Sequence, residues 1–246
     1  MMKNALFLMF LINFSLINLK FASLVLANPV LCSKAIKSIN DDYQKLNDLN
    51  HLGTCDEKNS KVIEVRYHLA QDQCQFVQDV KWLKWQIDQS NQLFAKIGLC
   101  FKIKTILALG KEWIEMKDQK MRTNLGQNRL ESGLIDVFVV GRLADIDIKG
   151  EEIRGVHWRN PKNRQKQRWI ILSKIAKDFV LAHELGHYFD LPHSTYETSI
   201  MNKTPRDYPI AKRGFVEEEY QIMQKAKDRM LEDLHLIPIA QKPSQQ

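Results

Sequence analysis

The chain has 246 residues, 44% hydrophobic and 26% charged, an ordinary globular composition that excludes a disordered polymer and a multispanning membrane protein. That length holds one well-buried domain with short extensions. The formal charge of +7 includes Lys3 and Lys20 and no acid before residue 28, so the remainder carries a mild, scattered excess that calls for no specific nucleic-acid partner.

Met-Met-Lys-Asn opens the chain, followed by apolar runs from Ala5 to Leu19 and from Phe21 to Ala27. A basic start and a hydrophobic region are the plan of a secretory signal, and small Ala27 places the cut after residue 27. Lys20 leaves neither apolar run at the roughly 20 residues a bilayer span needs. The expectation is export, secreted or periplasmic, with no membrane attachment after cleavage.

Residues 28–60 are polar and read as an N-terminal extension packed on the domain. Ile63, Val65, Tyr67 and Leu69 then alternate with polar residues, the period of a half-buried strand. Phe76, Val77, Val80, Leu83, Ile87, Phe94 and Ile97 recur at three- and four-residue steps, predicting one long helix closed by Gly98. Alternation resumes from Cys100 to Leu109. Strand, helix, strand implies a parallel pair joined by a crossover.

Segment 111–133 is polar and ambiguous, a helix followed by a loop. Leu134 to Val140 is an almost unbroken apolar run and predicts a central strand. Residues 153–158 suggest an edge strand, and 169–172 another buried one. Ser173 is expected to cap a helix running to about Phe189. A last amphipathic helix is expected over 215–235, and 237–246 form a short tail.

The informative stretch is His183-Glu-Leu-Gly-His187-Tyr-Phe-Asp190-Leu-Pro-His193. On a helix, His183 and His187 project from one face a turn apart and can share an ion. A catalytic zinc takes three protein ligands and leaves a fourth position for water. His193, beyond the break expected at Asp190 and Pro192, supplies the third. Glu184, beside the first ligand, is placed to act as general base on that water. A structural zinc is the competing reading, but it would usually have a fourth Cys or His, and none lies nearby in sequence.

At these residues the sequence resembles the metzincin clan of zinc peptidases, with their His-Glu-x-x-His-x-x-Gly-x-x-His motif and methionine turn. Met201 lies eight residues after His193, a matrixin-like spacing. The resemblance implies an α+β catalytic domain over 61–236 whose N-terminal part is α/β-like. It would hold a twisted mixed sheet, a long helix, an active-site helix and a C-terminal helix, with Met201 as an apolar floor beneath the metal. Asp190 stands where the motif has glycine, at a point expected to need positive φ, which Asp tolerates better than most residues. Asp190→Gly is therefore expected to be neutral or mildly stabilising. No tyrosine follows Met201 at the spacing that supplies an extra ligand in some members, and the cysteine-bearing matrixin prodomain motif is absent.

The implied function is zinc-dependent endoproteolysis of a peptide or protein by a monomer. Val156, His157 and Trp158 on the edge strand are candidates for binding an extended substrate. The alternatives are a zinc amidase or deformylase acting on a small or cell-wall substrate, and a non-catalytic zinc-binding protein. The four cysteines, Cys32, Cys55, Cys74 and Cys100, predict two disulfides in an exported protein. A helix from Cys74 to Ile97 would hold Cys74 far from Cys100, and Cys55, just before the first strand, should lie near Cys100 at the start of the second parallel strand, so Cys55–Cys100 and Cys32–Cys74 are the expected pairings.

Overall fold

The computed structural model describes residues 29–49, 58–160, 167–203 and 208–239. The expected signal, residues 1–27, lies outside them. Among the described residues no helix is long and apolar enough to cross a membrane.

Four parallel strands form the body of the sheet: β3 (Leu99–Leu109), β1 (Lys61–Asp72), β5 (Ile135–Val140) and β8 (Arg168–Ser173), side by side in that order. An antiparallel strand, β7 (Gly155–Arg159), closes the far edge against β8. The short β2 (Gln75–Phe76) folds back on the end of β1. Every residue of β5 is buried, as a strand covered on both faces requires. Its one acid, Asp136, is satisfied by Arg66, His68 and the Glu131 N–H.

One face packs on α2 (Val80–Phe94) and α4 (Val180–Tyr188) through a core that includes Val65, Tyr67, Val137, Ile170, Leu83, Phe94 and Leu185. The other is covered by α3 (Gln119–Leu125) and the small β4 (Glu115–Met116) and β6 (Arg142–Leu143) pair, around Phe138, Trp169 and Ile171. The outer edge of β3 meets α1 (Pro29–Leu49), where the Asn40 amide bonds both the N–H and the carbonyl of Ile106. The N-terminal extension thus contains a helix docked on a sheet edge, which shields backbone that would otherwise be open. The last helix, α5 (Glu217–Glu232), packs beside the turn that ends α2.

Two element boundaries differ from expectation. The long helix begins at Val80, not near Phe76, because β1 runs on to Asp72 and turns back through Gln73 and Cys74, both at positive φ, into β2. Asp79 then caps the helix by accepting from Trp82 N at 2.9 Å. Ser173 does not start α4. It ends β8, its hydroxyl bonded to Glu152, and the helix starts only at Val180.

Cys74 and Cys100 each take part in a disulfide, and no described cysteine is a free thiol. The side chains of Cys32 and Cys55, the other half of each expected pairing, lie outside the described residues.

Candidate metal centre

Helix α4 is positioned from outside its own sequence. Phe179, at φ 60°, precedes it with no side-chain cap. Instead Gln89 and Gln86 of α2 accept from Phe179 N and Leu181 N at 2.9 and 3.1 Å. These bonds satisfy N–H groups that a helix start leaves without partners and fix α4 against α2. His183 and His187 then face the same way, their ring centroids 4.8 Å apart.

The chain leaves the helix through Asp190 at φ 67°, and the Leu191 N–H reaches back to Gly186 O at 2.9 Å. That reversal returns His193 to 5.5 and 4.6 Å, centroid to centroid, from His183 and His187. One nitrogen from each of the three histidines lies within 4.8 Å of the others.

The tautomers follow from the partners. His183 Nδ1 lies 2.7 Å from Ile200 O, and His187 Nδ1 lies 2.7 Å from Leu191 O. A carbonyl only accepts, so each Nδ1 carries the proton and each Nε2 presents a lone pair. Burial pushes His183 down to about 4 and holds His187 and His193 below the usual imidazole value. His187 Nε2 and His193 Nε2 sit 3.2 Å apart. Neutral imidazoles converging on one point form a donor set that fits zinc.

Glu184 lies against β7, where its carboxylate accepts the His157 N–H, in the same cleft as the triad. Burial pushes its carboxyl up to about 8, against the opposing pull of that bond and of the Arg122 charge. It fits because residue 155 is glycine: a Cβ there would come within 2.9 Å of Glu184 Oε1.

Met201 is fully buried beneath α4, in contact with the backbone of Gly186 between the two helical ligands. Its turn is held by a relay that the sequence reading missed. Met201 N donates to Ser199 Oγ at 2.9 Å, and that hydroxyl donates to the buried Glu219 of α5 at 2.7 Å. The only sequence trace is an acid on what periodicity makes the inner face of the last helix. A Cβ on Gly186 would meet Met201 Sδ at 2.7 Å, so Gly186→Ala should push the methionine turn away from the ligands. The expected cost is about 1–3 kcal/mol of stability, typical of an overpacked core, with weaker zinc retention. Thermal melting and zinc titration of the variant check this; a wild-type value in both would show that the turn adapts freely.

Asp190 carries a second unforeseen cluster. Its carboxylate meets Arg159 of β7 at 2.6 Å, Arg168 of β8 at 3.2 Å and Arg229 of α5. Burial alone would raise its pKa, but these partners outweigh it and hold the carboxyl below its ordinary value.

A cleft of about 860 Å³ contains the triad, Glu184 and the edge-strand residues Val156, His157 and Trp158. Their backbones do not play equal parts. Ser173 N bonds Arg154 O and Asn160 N bonds Gln167 O, and alternation in an antiparallel pair then turns Val156 and Trp158 inward to β8. The groups facing the cleft belong to Gly155, His157 and Arg159, so a proline at Val156 would break the sheet itself and not its open edge.

No family model and no curated protein matches the chain. Solved structures do. Mature mirolysin of Tannerella forsythia, in complex with a cleaved peptide, is 12% identical with a TM-score of 0.46, over 75% of this chain and 99% of that one. Archaemetzincin of Methanopyrus kandleri is 14% identical with a TM-score of 0.47, over 69% of this chain and 97% of that one. Metalloproteinase-II of Bacteroides fragilis is 13% identical with a TM-score of 0.47, over 68% of this chain and 53% of that one.

Proposed function

We propose that this chain is a zinc-dependent endopeptidase in which His183, His187 and His193 hold the metal and Glu184 is the general base. One observation carries the reading: three neutral imidazoles converge beside a buried carboxylate in a cleft bounded by an open strand edge. Zinc, when bound, supplies Lewis acidity, acidifying water and polarising a carbonyl oxygen.

The chain's own residues supply the rest. Glu184 takes the proton of the attacking water and returns it to the leaving amine. The His157 N–H holds that carboxylate in place. The outward backbone groups of Gly155 and Arg159 align an extended peptide as an added strand. Met201, on the Ser199–Glu219 relay, forms the floor. The same reading takes the protein to be exported through a signal ending at Ala27, to act as a monomer, and to be stapled by Cys55–Cys100 and Cys32–Cys74.

Native mass spectrometry of the purified chain titrated with zinc tests the metal half of this reading. One zinc per chain is expected, with loss of that zinc in His187→Ala. A chain that binds none would sink the reading, and zinc bound without cleavage of any peptide would reduce it to a metal-binding protein.

A further inference from the structure

Arg122 of α3 lines the same cleft as the histidines and Glu184, although only 2% of it is exposed. Its Nη2 donates to Ala144 O at 2.6 Å, the one hydrogen bond its side chain makes among the described residues. Nε is buried with no hydrogen-bond partner among the described residues. The guanidinium lies 5.3 Å from the centroid of the Trp158 ring, and Trp158 Nε1 is tied to Thr123 Oγ1 at 3.3 Å. Helix and edge strand therefore fix the cation at one place in the wall.

A buried guanidinium ordinarily has a carboxylate against it, because an interior charge without a partner is costly to desolvate. Among the described residues Arg122 forms no ion pair. Asp145, Asp147 and Glu184 act on it only from a distance, and burial lowers its pKa regardless. Arg168, another arginine of low exposure near this site, shows the contrast, since it has Asp190. The guanidinium of Arg122 is held in the cleft wall without a carboxylate in ion-pair contact among the described residues.

We propose that Arg122 is a specificity-determining residue that binds a carboxylate of the substrate, borne by an acidic side chain or by a peptide C-terminus. A carboxylate in the cleft beside Arg122 would gain a charge-assisted hydrogen bond from the guanidinium. It would also put a negative charge in direct contact, where Asp145, Asp147 and Glu184 act only at longer range. This inference rests on the peptidase reading of the same cleft, so its test uses binding as well as cleavage.

The experiment uses the full zinc-loaded chain and paired fluorescent peptides. One set carries glutamate or glutamine at each position around the scissile bond, and the other has a free or amidated C-terminus. For one pair, Kd and kcat/KM should favour the carboxylate form by on the order of tenfold or more, as expected for a hydrogen bond to a charged group. The set that shows the preference identifies its source. In Arg122→Gln that ratio should fall to near one, and Arg122→Lys should retain part of it. A wild-type ratio near one in every pair overturns the proposal whether or not the variants fold. So does a preference that survives in a folded Arg122→Gln. If no peptide is cut, the peptidase reading fails by itself, and the ratio of Kd values still decides the role of Arg122.

Discussion

Glu184→Ala should keep its zinc and lose on the order of 10²–10⁴-fold in peptide hydrolysis, the range a positioned general base contributes. The side chain belongs to the residue next to His183, yet it bonds the His157 N–H and not an imidazole. Removing it therefore leaves the ligand lone pairs and their Nδ1 partners, Ile200 O and Leu191 O, in place. The truncated side chain also leaves His157 N–H without its acceptor, so a small loss of stability should accompany the loss of rate. Zinc content and kcat are the readouts. Zinc lost together with activity would mean that Glu184 is a ligand or a folding element, and undiminished kcat would remove it from the mechanism.

Asp190→Gly should destabilise the protein, the reverse of what the motif suggests. Glycine would relieve the φ of 67°, worth up to about 1 kcal/mol. Against this, three guanidiniums would lose their shared carboxylate. Arg168 is the costly one, its side chain only 12% exposed, whereas Arg159 and Arg229 are 50% and 53% exposed and rehydrate readily. Breaking a buried pair costs about 3–5 kcal/mol, and discounting for the exposed partners leaves a net loss of about 1–3 kcal/mol. Since Asp190 ties β7, β8 and α5 to the loop that returns His193, zinc affinity should fall with the melting temperature. Asp190→Asn, which keeps the backbone tolerance but not the charge, should lie between. An Asp190→Gly protein that melts at or above the wild type would show that the arginines carry no weight.

The parts legible in the sequence were those set by neighbouring residues. His183 and His187 share a face because they are four apart on a helix, and the apolar run 135–140 marks a central strand wherever it sits. The positive φ at Asp190 follows from the need to turn His193 back. What escaped is what distant residues impose. The start of α4 is fixed by Gln86 and Gln89 from a helix some ninety residues earlier, so Ser173 looked like a cap and is a strand end. Phe76 fits the helical period but pairs with Gln71 in a hairpin. The three arginines around Asp190 come from three separate elements, and the outward phase of β7 depends on its register with β8. No local pattern carries those facts.

The central claim meets its most direct test in cleavage of a quenched peptide library by the purified chain before chelation, after it, and after zinc is returned. The account predicts hydrolysis at internal peptide bonds that disappears with the metal and returns on adding zinc. Hydrolysis that survives complete removal of zinc would contradict it.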